Sequence, residues 1–101
     1  MREYFYKIVL ETPLGGRPGK LKLCVQDGQV EGWLSVLGKT FPCRGSLEEN
    51  GQLALDGSFR TLRTEFPYRA QGRAAGGALE LSLSSGRHVF QITGTACEEN
   101  G

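Results

Sequence analysis

Few side chains in this chain are able to do chemistry: three cysteines (Cys24, Cys43, Cys97), one histidine (His88), three tyrosines (Tyr4, Tyr6, Tyr68) and a set of arginines. The cysteines lack CxxC spacing, and alternation puts Cys24 and Cys43 on opposite faces of a sheet, so neither a disulfide framework nor a metal knuckle is expected. A lone histidine with no cysteine or carboxylate at ligand spacing excludes a His-rich metal site. His88 and Cys43 would work as base and nucleophile only side by side, and they fall on segments far apart in the chain. His88 therefore reads as a rim residue and Cys43 as a small core hydrophobe. Gly15-Gly16-Arg17-Pro18-Gly19-Lys20-Leu21 fails as a phosphate loop, because Leu14 stands at the first glycine, Leu21 at the Ser/Thr, and a strand follows where a helix is required. No carboxylate falls on an inward position, so paired acid and base groups of the glycosidase kind are missing. The chain is read as a binding protein; tyrosines and arginines at a mouth are the one set suited to isomerase or cyclase work. No cofactor is implied.

Positioning these groups falls to a short chain. Its 101 residues hold one domain, 1–101, with one core. A formal charge of +1 provides no overall field to recruit nucleic acid or an anionic membrane, and neither is an expected partner. Met1-Arg2-Glu3-Tyr4 runs straight into strand-like sequence, with no signal-peptide core and no bilayer-spanning run, which with three free thiols predicts a cytoplasmic protein.

Fifteen glycines, about double the usual ~7%, punctuate alternating segments. Gly32, Gly45, Gly57, Gly72 and Gly94 each share phase with apolar neighbours two residues away. Glycines recurring inside strands mark bends and close backbone approach, the device by which a sheet turns corners and closes. Eight segments alternate, near 3–12, 19–26, 29–37, 40–47, 52–59, 65–74, 78–84 and 87–96.

Hairpin turns then set the register. Asp27-Gly28 places Val25 against Val30, Leu23 against Gly32 and Leu21 against Leu34. Gly38-Lys39, read as a II′ turn, places Val36 against Phe41 and Leu34 against Cys43. Glu49-Asn50-Gly51 places Leu47 against Leu53 and Gly45 against Leu55. The Arg60 to Glu65 connection sets Phe59 against Phe66 and Gly57 against Tyr68. Ala75 to Ala78 and Ser85-Gly86 set Leu81 against Gly72 on one side and Phe90 on the other. Pro13 to Pro18 reads as a long, irregular connection. The expected fold is all-β, an eight-stranded antiparallel up-and-down meander barrel with the eighth strand beside the first. An open or two-layer antiparallel sandwich is the alternative.

The inward set runs Tyr4, Tyr6, Ile8, Leu10, Leu21, Leu23, Val25, Leu34, Val36, Phe41, Leu47, Leu53, Leu55, Phe59, Phe66, Tyr68, Leu79, Leu81, Leu83, Phe90 and Ile92. Such large side chains fill a barrel of this size unless the inward glycines, Cys43, Ala70 and Ala74 cluster to leave a slot. Meander order brings Arg17, Lys39, Arg60, Arg63 and Arg87 to one end, with Glu11, Glu65, the loop tips Leu14 and Leu62, and inward-phase His88. Asp27, Glu48, Glu49, Glu98 and Glu99 gather at the other, against Arg2 and Arg73. On the outer face Phe5, Val9 and Trp33 fall together near Cys24, with Lys22 placed to cover Trp33.

Thr12-Pro13-Leu14-Gly15, Thr61-Leu62-Arg63-Thr64, Phe66-Pro67-Tyr68 and Ile92-Thr93-Gly94-Thr95, with the repeated strand glycines, resemble an uncharacterised group of short bacterial proteins with calycin-like (lipocalin-like) barrels. The hairpins are similar to those of avidin-type barrels. The resemblance implies a closed barrel and binding as a family habit, although the lipocalin Gly-x-Trp opening is missing and the strands are shorter than those of ligand carriers.

The expected function is non-enzymatic binding of a small apolar anion, an amphiphile with a carboxylate or phosphate head, at the basic end. Arg17, Arg60, Arg63 and Arg87 would hold the head, with Leu62, His88 and Tyr68 lining the site. The alternative is an interaction module that forms a homodimer through Phe5, Val9 and Trp33.

Overall fold

The computed structural model describes residues 2–60 and 63–97. Eight strands follow one another: β1 (Arg2–Thr12), β2 (Gly15–Gln26), β3 (Gln29–Val36), β4 (Lys39–Leu47), β5 (Gln52–Arg60), β6 (Glu65–Ala75), β7 (Ala78–Ser85) and β8 (His88–Cys97). All neighbouring pairs are antiparallel, and β8 closes on β1 from Phe5↔Cys97 to Glu11↔Gln91, so the sheet is a closed meander barrel. No helix among the described residues is long and apolar enough to cross a membrane.

Alternation decides the core. Residues on the inward phase, from Tyr6, Ile8 and Leu10 on β1 to Ile92 on β8, form one cluster, joined by Val30, Cys43 and Ala70, with Tyr4, Val25, Leu47, Phe59 and Phe90 packed against it. Each fully buried leucine or isoleucine contributes about 1.5–3 kcal/mol relative to solvent. The interior is filled: its void is about 10 Å³, room for at most one water. Phe66 departs from the expected set. It keeps the inward phase but lies on β6 beyond that strand's last pair with β7, and it is 49% exposed.

The inward glycines make this filling compatible with closure. A Cβ at Gly32, Gly45 or Gly72 would strike the backbone carbonyl of Lys22, Ala54 or Glu80 on the adjacent strand. At Gly57 it would strike the Tyr68 ring, which covers the bare backbone from inside.

Three connections differ from the sequence reading. Pro13-Leu14 is a two-residue turn closed by Thr12, whose Oγ1 donates to the Gly15 carbonyl (2.7 Å) and accepts from the Leu14 N–H (3.2 Å); Pro18 lies inside β2. The β3–β4 turn is Leu37-Gly38, both with positive φ (56° and 74°) as in a I′ turn, so Leu34 faces Phe41 and Gly32 faces Cys43. The β7–β8 turn is Gly86-Arg87, so Leu83 faces Phe90 and Leu81 faces Ile92. The last two are two-residue shifts, which preserve the buried face.

Their cause is hydrogen-bond parity. Successive residues of an antiparallel strand bond alternately to the neighbour on either side. With Asp27-Gly28 fixing Gln26↔Gln29 as a bonded pair, the odd residues of β3 belong to β2 and the even ones to β4. A Gly38-Lys39 turn would give Ser35 and Trp33 to both neighbours and would require Pro42 to donate. The Gly76-Gly77 turn, both φ positive, excludes Ser85-Gly86 in the same way.

Candidate functional site

The two ends of the barrel are finished differently. At the acidic end each turn is tied to a later strand: Leu47 N–H donates to Gly28 (2.9 Å), Ala74 N–H to Gly51 (2.8 Å) and Ala96 N–H to Gly77 (2.7 Å). At the basic end the chain forms four hairpin tips, and the ladders between hairpins stop at Gly19↔Val36, Cys43↔Gly57, Arg69↔Ser84 and Glu11↔Gln91. Continuing each register, the next hydrogen-bonded pair is Pro18–Leu37, Pro42–Ser58, Pro67–Gly86 and Pro13–Val89. In three of these pairs one member is already a turn residue (Leu37, Gly86, Pro13), so the ladder ends where the hairpin turns; in Pro42–Ser58 both members lie on strands, and there it is the proline, with no N–H to give, that stops the ladder.

Between β4 and β5 both strands run on past their last pair, by residues 39–42 and 58–60, and part. The resulting cleft has a volume of about 1050 Å³. Trp33 and Pro42 face each other across β3 and β4 in a non-hydrogen-bonded pair, the closer kind, and form an apolar wall. Phe41, Cys43 and Gly57 form the floor, and Lys39, Arg44 and Arg60 stand on the lips with Glu31, Asp56 and Glu65. Asp56 is engaged by Arg69 (3.0 Å) and Glu65 by Arg60 (3.6 Å). Among the described residues, neither Lys39 nor Arg44 has a carboxylate at ion-pair distance.

Side chains seal this seam where the backbone does not. Phe41 meets Phe59 edge-on (4.9 Å between centroids), Phe59 stacks on Tyr68 (4.6 Å), and the Tyr68 hydroxyl donates to the Pro42 carbonyl (3.4 Å). Burial drives the Tyr68 hydroxyl pKa far above the ordinary phenol range, with Cys43 and Asp56 adding to the effect. Burial likewise pushes the Cys43 thiol up to about 11, which leaves it protonated and unreactive at neutral pH. Among the described residues no three His, Cys, Asp or Glu side chains group to hold a metal ion.

The expected head-group residues share the basic end but are spread round it. Arg17 is on the first hairpin, Arg60 and Arg63 on the third, and Arg87 in the turn of the fourth; of these only Arg60 lines the cleft. Leu62 lies outside the described residues, as do Glu98 and Glu99. His88 is exposed and stacks on Phe90 (6.2 Å). Tyr68 is buried, and its hydroxyl is taken up by the seam.

On the outer wall the Lys22 ammonium sits over Phe5 (5.4 Å), not over Trp33. Phe5–Lys22 is the close, non-hydrogen-bonded kind of pair and Lys22–Trp33 the wider kind, which decides between the two rings. Trp33 is left 51% exposed, and Val9 is also exposed.

The sequence reading placed Phe41 in the core without a role in a site, and passed over Pro42 and the β4–β5 seam. The signal was present in Pro42 itself, since parity assigns its missing N–H to the β5 side. Comparison of the chain with protein-family models, curated proteins and solved structures gives no match in any of the three.

Proposed function

We propose that this protein is a non-enzymatic binding barrel that takes a small apolar anion, with a carboxylate or phosphate head, in the cleft between β4 and β5. The parting of two strands that both continue past their last pair carries the reading, because it gives a filled barrel a concave, partly apolar site without a lumen. In this reading the apolar body lies against Trp33 and Pro42. The head pairs with Arg44 and Lys39 and competes with Glu65 for Arg60, guanidinium groups matching carboxylate and phosphate bidentately. Arg17, Arg63 and Arg87 attract the anion to this end without holding it. The sequence resemblance to calycin-like bacterial barrels, in which binding is a family habit, and a cytoplasmic setting belong to the same proposal.

Trp33 is the sole tryptophan of the chain and lines the cleft, so its emission reads the site directly. Titration with aromatic carboxylates, fatty acids and acyl phosphates should shift that emission for at least one class, and Arg44→Ala with Arg60→Ala should weaken the response about tenfold, the effect of ~1.4 kcal/mol. Unchanged emission and unchanged melting temperature with every class would overturn the proposal.

A second reading, self-association through Phe5, Val9 and Trp33, is favoured by the continuous outer row Phe5–Lys22–Trp33–Pro42 across four strands. Sedimentation of the wild type and of Trp33→Glu separates the two readings: a monomer in both cases removes the dimer.

A further inference from the structure

Six large hydrophobic side chains are exposed among the described residues, and four of them, Leu14 (85%), Leu37 (65%), Phe66 (49%) and Val89 (62%), sit at the basic end. Each belongs to a different hairpin: Leu14 to β1–β2, Leu37 to β3–β4, Phe66 to β5–β6, Val89 to β7–β8. Each also has a cation close by in the same hairpin: Arg17, Lys39, Arg60 with Arg63, and Arg87. The acidic groups at this rim are Glu11 and Glu65, and Glu65 is already paired with Arg60.

Fold stability does not account for these side chains. Leu37 adopts φ +56°, where an L-residue with a Cβ is strained and Asn or Gly sits easily, yet the position carries a leucine whose side chain touches mostly water. The inter-hairpin ladders end short of the tips, so no strand pairing joins one tip to the next; Ser85 Oγ, donating to the Pro67 carbonyl (3.0 Å), is a side-chain tie between the third and fourth hairpins. Apolar points on separate tips, each beside a cation, do not form the continuous dry core that a protein interface needs. A fluid anionic surface accepts separate points, since each side chain enters between headgroups while its neighbouring arginine or lysine meets a phosphate or carboxylate.

We propose that the four-tipped basic crown docks on an anionic lipid bilayer, with Leu14, Leu37, Phe66 and Val89 reaching the headgroup region and Arg17, Lys39 and Arg87 contacting lipid heads. Insertion is shallow, because the unpaired backbone groups at the ladder ends need polar partners. The opposite end sets Asp27, Glu48 and Glu49 against Arg2 and Arg73, so it lacks the cation excess of the crown and is not drawn to the same surface. The formal charge of +1 conceals this segregation, which is why the whole-chain charge argued against a membrane. The crown shares Lys39 with the lip of the β4–β5 cleft, but none of its four apolar tips lines that cleft, and neither proposal depends on the other.

The test is cosedimentation of the full chain with vesicles of phosphatidylcholine alone and of phosphatidylcholine with phosphatidylserine. Pelleting is expected only with the anionic vesicles, with release at ~1 M salt, where the Debye length is about 3 Å. Leu14→Asp with Leu37→Asn, the latter also relieving the backbone at 37, should cut binding about tenfold or more, and so should Arg17→Glu with Arg87→Glu. Lys7→Glu, the same kind of charge change on the mid-wall, should leave binding unchanged; circular dichroism confirms that every variant is folded. Equal pelleting with neutral vesicles, pelleting without vesicles, indifference to the tip variants, or no binding at all would overturn the proposal. Displacement by inorganic phosphate at ionic strength matched with chloride would also overturn it, by showing a free-anion site. Trp33 emission with small anions reads the cleft separately, so failure of one proposal is distinguishable from failure of the other.

Discussion

Cys43 has one side toward the cleft and the other toward the packed interior, and its chemistry follows from that position. In the unfolded chain the thiol ionises near 9; in the barrel burial holds its proton until about 11. Between these values the unfolded state binds fewer protons than the folded one, so stability is complete below pH 9 and falls as pH rises toward 11. The full two-unit difference amounts to about 2–3 kcal/mol. Urea unfolding followed from pH 8 to 10.5 should therefore show a falling midpoint, and Cys43→Ala should flatten the part below pH 10, before Tyr68 and Tyr6, both raised by burial, add their own losses. A slope unchanged by Cys43→Ala would show that the thiol is not desolvated and that the cleft floor is open to water.

Pro42 acts at the scale of the element. Pro42 leaves the Ser58 carbonyl without the ladder partner that any other residue would supply, and the β4–β5 wall gapes from there outward. Pro42→Val restores an N–H aimed at Ser58. The new hydrogen bond contributes about 1 kcal/mol, and loss of proline's restraint on the unfolded chain offsets it by ~0.4–1 kcal/mol. Stability should stay nearly constant while the seam closes. Amide exchange should then find the new N–H at 42 protected to the level of neighbouring β4 amides, and the Trp33 emission response to any ligand of the cleft should weaken. Fast exchange at 42 would mean that something other than proline parts the strands. The same elements show what was legible beforehand. Period-two alternation gave eight strands and their buried faces, because a two-residue error in a turn leaves the face untouched. Turn chemistry alone misplaced Leu37-Gly38 and Gly86-Arg87, since glycine suits more than one position of a tight turn; parity between consecutive hairpins resolves both from sequence. Phe66 was not legible, because phase says which way a side chain points and not whether a neighbouring strand is still there to cover it. The ring chosen by Lys22 required the same pair-type argument. Whether the barrel was hollow depended on summed volumes across strands, which no single segment reveals.

At the scale of the whole molecule, closure between β8 and β1 separates a barrel from a sheet with two bare edges. Gln91, Thr93, Thr95 and Cys97 supply the β8 side of that ladder, opposite Glu11, Val9, Lys7 and Phe5. The ladder ends below Val89, whose N–H points toward Pro13 across the last seam. Two proline substitutions on one strand, both at positions facing β1, should therefore differ sharply. Thr93→Pro removes a bond from the middle of the closing ladder and wedges its ring against β1, at a cost of about 3 kcal/mol or more. Val89→Pro removes an N–H that no ladder uses and should cost under ~1 kcal/mol. Opening at Thr93 bares the β1 and β8 edges, which are templates for pairing with other chains. Urea unfolding should show the stability gap, and size-exclusion chromatography should find Thr93→Pro in oligomers while Val89→Pro elutes with the wild type. Equal tolerance of both would mean that the β1–β8 ladder contributes little to holding the barrel shut, and that the filled interior alone keeps the first and last strands together.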